Sequence, residues 1–280
     1  MQTRSARAVF TCCASGRDAR KRAERVTLRH GEEVSISSRS LVLYYHAISD
    51  SWNDPLAVRP AAFARQLALF MRGRRGGTAL EAVAQPRGVL HVTFDDAYES
   101  VLAAVPAIER QRVQATVFVC SAYGDGRPLD VPELSGARFD QIGLRTLSWE
   151  QLRELAEHRI EIGSHSRTHP HLSRLGDHEL QRELVDSKTE IEDRIGRECR
   201  LLAYPYGETD DRVRAAAQRA GYLAAFGSPG RPGDPFDIPR LGIYRRDTLV
   251  RAYLKSTRLA PPARRVAARS GTLTGGRRYP

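Results

Sequence analysis

No stretch of this 280-residue chain approaches the roughly 18 consecutive apolar residues of a membrane-crossing helix, so no span is expected. The first residues are basic but lack the apolar core of about 7–15 residues that marks a secretory leader. Together the two absences make a cytoplasmic location the expectation. The arginine-rich, acid-poor opening from Met1 to Arg17 has some transit-peptide character, but reads better as a poorly ordered extension or an over-long start. Cysteine is scarce. Cys12, Cys13, Cys120 and Cys199 form no metal-ligand or redox spacing, which removes zinc-ribbon and dithiol chemistry. The adjacent pair sits in a tail, and the other two are expected in strands as small hydrophobes. Acid is absent from residues 257–280, which hold six arginines, and residues 1–40 carry nine basic against four acidic residues. Residues 41–256 hold 29 of each, so the formal charge of +11 belongs to the ends. Nearly all the basic residues are arginine, which fits a genomic composition bias as well as a selected patch. A nucleic-acid binder would have only those tails for phosphate contacts, so no specific nucleic-acid partner is expected.

What is present alternates between two periods. The length suits one α/β domain with tails, because single α/β barrels run to about 250 residues. Residues 1–39 show no sustained period and are expected to form a basic, flexible N-terminal tail. Leu41–His46 reads as a buried strand ending in a histidine, followed by a helix from about Ala61 with Phe63, Leu67, Phe70 and Met71 on one face. Val89–Phe94 is a second strand, and Pro106 kinks or shortens the helix that follows it. Ala115–Cys120 is a third strand. Residues 121–147 make a long Gly-, Pro- and Asp-rich connection, a candidate substrate rim. Ser148 and Gln151 have capping-box form ahead of the next helix. Arg159–Ser164 is a fourth strand, and a long helix follows with Asp177 as its cap, Leu180, Leu184, Ile191 and Ile195 as its stripe and Gly196 as its stop. Leu201–Tyr204 and Tyr222–Phe226 are further strands around a helix over 210–220. A last strand near Ile238–Ile243 and a helix near 247–256 close a domain over residues 40–256, leaving 257–280 as a second basic tail. Strands separated by helices at this rhythm argue for parallel βα units.

The stretch Val92-Thr93-Phe94-Asp95-Asp96-Ala97-Tyr98 ends a buried strand on two adjacent carboxylates. In α/β folds that end is where chemistry is placed. One acid could ligate a cation while the other stays free as a base. The alternative is an Asp-Asp turn that caps the next helix. His165 and His169 stand four apart after another strand, a spacing that lets two imidazoles share one cation. Pro170 disfavours helix at His169, so this is a loop and not the zincin helix. Two imidazoles and one carboxylate leave coordination positions open, as catalytic zinc requires. His171 and His178 are assigned surface roles, while His30, His91 and His158 read as tail, strand and helix-end residues.

These motifs, with Leu43-Tyr44-Tyr45-His46, Ala115-Thr116-Val117-Phe118, Gly163 to Pro170, Ala203-Tyr204-Pro205-Tyr206-Gly207 and Ile238-Pro239-Arg240, resemble the polysaccharide deacetylases of carbohydrate esterase family 4. The resemblance runs from about Ser40 to Leu254. It implies a distorted (β/α)7 barrel, a divalent metal held by Asp-His-His, and hydrolytic removal of acetyl groups from sugar polymers or their precursors. Carried onto this chain, Asp96, His165 and His169 are the implied metal ligands and Asp95 the implied base. The backbone N–H of Tyr206 is the implied oxyanion donor. The ligand types make Zn2+ the default cation, with Co2+ and Ni2+ also competent. Three departures stand out. Ala97 replaces the first-motif glycine. Ala203 replaces an arginine that orients the base, so Arg240 is the expected substitute. No histidine follows His178 to serve as the late general acid, and His46 is the expected acid, as in circularly permuted members. The implied partner is an acetylated glycan, and no feature fixes an oligomeric state. Two rivals come from other readings of the same residues. One is a metal amidohydrolase of the same fold acting on a small non-sugar amide. The other is a silent glycan-binding module, which would have no need of a free base beside a metal.

Overall fold

The computed structural model describes residues 24–27, 33–36, 39–85, 87–130 and 143–257. The chain divides into two compact units, residues 1–36 and 37–280. In the first, Glu24–Thr27 and Glu33–Ile36 pair antiparallel. Both strands fall within the stretch in which the sequence shows no sustained period. Four-residue strands are too short for an alternating pattern to stand out. The remainder of both basic tails lies outside the described residues, and so do Cys12, Cys13, His30 and residues 131–142.

The second unit is built on parallel strands: β1 (Leu41–Tyr45), β2 (Val89–Phe94), β3 (Gln114–Val119), β4 (Ile160–Ser164), β5 (Leu201–Ala203), β6 (Ala224–Gly227), β7 (Ile238–Pro239) and β8 (Leu241–Gly242). Their order is β7-β6-β5-β4-β3-β2-β1-β8. The two ends of that path are one stretch of chain interrupted only by Arg240. Ile238 pairs with Phe226 on one side, and Leu241 pairs with Leu43 on the other. Residues 238–242 therefore bridge the two edges and nearly close a seven-stranded barrel. Arg240, at the break, is freed from the ladder and turns inward.

Alternation along each strand sorts residues between the barrel interior and the helix layer. Val42, Phe118, Leu201, Ala203 and Phe226 pack together inside, while Leu43, Tyr45, Val92, Phe94, Val117 and Leu202 join the larger cluster under the helices. Because both faces are covered, β2 is buried at all six positions. On its inner face stand Val89, His91 and Thr93, with Asp95 next in line. Among the described residues, α1 (Pro60–Met71), α3 (Val105–Gln111), α4 (Trp149–Glu157), α5 (Asp177–Ile195), α6 (Asp211–Arg219) and α7 (Leu249–Ser256) form the outer layer, while α2 (Ala79–Ala84) packs Ala79 and Ala82 against the interior cluster. Phe63, Leu67 and Phe70 of α1 are fully buried, each contributing roughly 1.5–3 kcal/mol by leaving water.

The Ser148–Gln151 capping box forms as the sequence predicts, and Thr78–Glu81 makes a second one on α2. Pro106 sits in the first turn of α3, where its missing N–H costs nothing, and a 3-10 segment precedes it. Two expectations are corrected. The cap of α5 is Gly176, and Asp177 is the first helical residue, its carboxylate accepting from Arg212 Nη1 at 2.9 Å. Cys120 and Cys199 are buried free thiols lying just beyond β3 and just before β5, not within strands. Among the described residues no helix is long and apolar enough to cross a membrane.

Candidate active site

The strand ends deliver the predicted residues to one end of the barrel. At the end of β2 the Asp95 N–H donates to Tyr45 O at 2.9 Å, continuing the ladder, and the chain then turns through left-handed backbone at Asp96 (φ 68) and Ala97 (φ 50). That turn aims both carboxylates at the same space. Ala97 occupies a conformation glycine would adopt freely and costs about 1 kcal/mol more. At the end of β4 the His165 N–H donates to Val119 O, and its Nδ1 donates to Ala203 O at 2.7 Å. Fixing the proton on Nδ1 leaves Nε2 as a lone pair. The loop that returns His169 is held from α5. Glu183 accepts from the Arg167 and Thr168 N–H groups, each at 2.8 Å, and Ser187 Oγ donates to Ser166 O at 3.0 Å. Sequence reasoning missed both helix residues, because nothing in a mid-helix Glu or Ser announces a loop on its far side.

His165 Nε2 and His169 Nε2 lie 3.5 and 3.4 Å from Asp96 Oδ1. One ligand atom from each of the three buried residues lies within 4.8 Å of the others. Bonds of about 2.0–2.1 Å to a tetrahedral zinc put ligand atoms roughly 3.3 Å apart, close to these distances. Asp96 Oδ1 is buried yet accepts no hydrogen bond. Burial pushes the Asp96 carboxyl up, against the pull of His46 and His165, and pushes His165 down to about 4. A buried carboxylate oxygen facing an imidazole lone pair needs a positive charge between them, so the donor set fits a divalent cation.

Asp95 is held differently. Arg240 Nη1 and Nη2 donate to its two oxygens at 2.6 and 2.9 Å, and Nη1 also donates to Thr93 Oγ1. Burial works to raise the Asp95 pKa, but the Arg240 charge, His165 and the guanidinium hydrogen bonds outweigh it and hold the carboxyl below its usual range. The guanidinium packs over the rings of Tyr44, Phe118 and Phe226. Arg240, the residue the sequence offers in place of the arginine absent at Ala203, is thus bonded to Asp95 at two points.

His46, one residue past β1, lines the same cavity of about 240 Å3 as the two acids, His165 and His169. Its ring lies edge-on to Tyr44, with centroids 5.8 Å apart. Tyr206 also lines this cavity, in a turn at φ 60. Its ring meets His169 edge-on at 4.7 Å and stacks on His171 at 3.9 Å, and His171 Nδ1 bonds Glu208 at 2.9 Å. His171 is partly exposed and backs the Tyr206 turn from its outer side. Leu129, from the described part of the long connection, is buried and lines the cavity. His91 is structural, bonded to Gly77 O and Thr116 Oγ1, and His158 is an exposed helix-end residue.

The family profile described as Polysaccharide deacetylase matches residues 82–225, just over half of the chain. A chitooligosaccharide deacetylase of Sinorhizobium fredii is 27% identical over 197 residues, covering 69% of this chain and 75% of that protein. YxkH of Bacillus subtilis is 28% identical over 132 residues, 47% of this chain but only 41% of that relative's length. IcaB from Ammonifex degensii superposes with a TM-score of 0.64 at 24% identity, over 79% of this chain and 97% of that one. That likeness speaks to fold alone. The profile encloses β2 through β5 with Asp95, Asp96, His165, His169 and Tyr206, while His46 and Arg240 lie outside it. On that match the chain belongs to the polysaccharide deacetylase family.

Proposed function

We propose that this protein is a divalent-metal-dependent hydrolase that removes acetyl groups, N-acetyl foremost, from a polysaccharide, oligosaccharide or glycan precursor. The observation that carries the reading is the meeting, in one cavity, of the buried Asp96–His165–His169 trio with an Asp95 locked by Arg240. The named activity of the Sinorhizobium relative supports a sugar substrate. A cation held by Asp96, His165 and His169, zinc by ligand type with cobalt or nickel also suited, would polarise the acetyl carbonyl and lower the pKa of a water.

The remaining work falls to the chain's own groups. Asp95 takes the proton of the attacking water at its carboxylate. Its low pKa keeps it ionised, and the two-point grip of Arg240 fixes its direction. The Tyr206 N–H donates to the oxygen on which negative charge develops. His46 gives a proton to the departing nitrogen, which cannot leave as an amide anion. Asp95→Asn tests the assignment. An amide cannot accept the proton, so turnover should fall by about 10²–10⁴ while the metal content is retained. Near wild-type acetate release by that variant would reduce Asp95 to a structural cap.

A further inference from the structure

The His46 side of the cavity is held from a distant part of the chain. His46 Nδ1 is buried and bonds no group among the described residues. The ring therefore takes its direction from what packs on it and from the backbone that carries it. Tyr44 meets it edge-on at 5.8 Å, and Tyr244 lies within 27° of parallel to it at 6.4 Å. Past His46 the chain makes a loop over residues 47–58, closed by the parallel pairing of Ala47–Ile48 with Ala57–Val58. Leu56 of this loop lines the cavity.

One residue grips that loop from outside it. Arg245 Nη1 donates to Ser49 O at 3.3 Å, to Trp52 O at 3.0 Å and to Ala57 O at 2.9 Å. The Arg245 N–H adds a bond to Pro55 O at 2.9 Å. Three carbonyls turned toward one nitrogen need a donor there, because without it their dipoles repel and the curl opens. Arg245 itself has a fixed seat. Its turn leaves β8 with the Ile243 N–H donating to Tyr44 O at 3.0 Å. The buried Asp247 carboxylate closes the turn, accepting from the Tyr244 N–H at 2.9 Å and from Lys255 Nζ and Arg251 Nε of α7. One turn thus lays Tyr244 on the His46 ring and Arg245 on the loop that leaves His46.

We infer that Arg245 is a positioning residue for His46: by tying residues 49, 52 and 57 to the Tyr244 turn, it holds the ring at the angle from which it protonates the departing nitrogen. The inference rests on the deacetylase reading and its assignment of His46. The test uses zinc-loaded full-length protein as Arg245→Met, Arg245→Lys, His46→Ala and the Arg245→Met, His46→Ala double variant. Acetate release is measured on a tetramer of N-acetylglucosamine, an amide, and on an activated aryl acetate, whose leaving group needs no proton. In Arg245→Met, kcat on the amide should fall about 10–100-fold and on the ester less than about threefold. Arg245→Lys keeps the charge with a shorter reach and should recover part of the amide rate. The double variant should be no slower on the amide than His46→Ala alone, since both changes act through one ring. Equal losses on the two substrates, or losses that multiply in the double variant, overturn the inference. Should Arg245→Met not fold, Arg245→Lys carries the comparison, and an unchanged amide-to-ester ratio there overturns it. If the wild type cleaves no amide, or His46→Ala loses both rates equally, the underlying reading fails separately. The His46 ring-proton resonances, identified by their loss in His46→Ala, then judge the clamp. Their movement in Arg245→Met, with partial return in Arg245→Lys, supports it, and unmoved resonances overturn it.

Discussion

Arg240→Met would test the interior of the barrel most severely. The Arg240 and Asp95 side chains are 1% and 5% exposed, and their two hydrogen bonds of 2.6 and 2.9 Å leave neither charge to water. Methionine keeps the apolar packing against Tyr44, Phe118 and Phe226 but leaves the Asp95 carboxylate with its desolvation cost uncompensated. Breaking a buried pair from one side costs about 3–5 kcal/mol. Asp95→Asn strands the guanidinium and should cost a similar amount. The double variant buries no charge, so its loss should be smaller than the sum of the two by about 3 kcal/mol or more. Urea unfolding of the four proteins at pH 7 with chelator present reads this cycle without interference from metal. Turnover of Arg240→Met should fall about 100-fold or more, because the base is no longer aimed. Losses that add to within about 0.5 kcal/mol would refute the claim that the two residues form one electrostatic unit.

His46→Ala should lose rate chiefly on amides, whose nitrogen must be protonated to leave, and far less on an activated aryl ester. Equal losses would give His46 a structural role. His171→Ala removes the stack behind Tyr206, so amide hydrogen exchange over residues 204–208 should quicken and kcat should fall about tenfold with metal affinity kept; an unchanged exchange rate would contradict the bracing. Burial holds His91 near a pKa of about 4, below its ordinary 6.5. The folded state therefore binds fewer protons than the unfolded one between those values. Stability is full above about pH 6.5 and is lost as pH falls towards 4, by about 2–3 kcal/mol at pH 4.5. His91→Gln should remove that part of the acid loss, measured as the difference between unfolding at pH 7 and pH 4.5.

The strand ends were the most legible part of the chain. A parallel strand buried on both faces reads as an apolar run, and chemistry-bearing residues just past it, such as Asp95 and His165, stand out against it. Arg240 was found only as a substitute for an arginine that Ala203 lacks. Its grip on Asp95 spans 145 residues and leaves no local pattern. The barrel closure was half visible. Ile238–Ile243 reads as one strand, but a break at a single residue that sends its halves to opposite edges has no signature in composition. Gly176 took the cap expected of Asp177 because either residue satisfies the pattern, and Arg212 competes for the carboxylate. Glu183, Ser187 and His171 were invisible as site residues for one reason: each acts across space on a loop whose course only the fold determines.

The central claim is that Asp96, His165 and His169 hold the cation on which acetyl removal depends. The most direct measurement is acetate release from an N-acetylated chitooligosaccharide by chelator-treated protein titrated with zinc, with His165→Ala in parallel. The account predicts that chelation abolishes release, that about one equivalent of zinc restores it, and that His165→Ala needs far more zinc or never recovers. Release that survives chelation, or a His165→Ala titration that overlays the wild type, would contradict it.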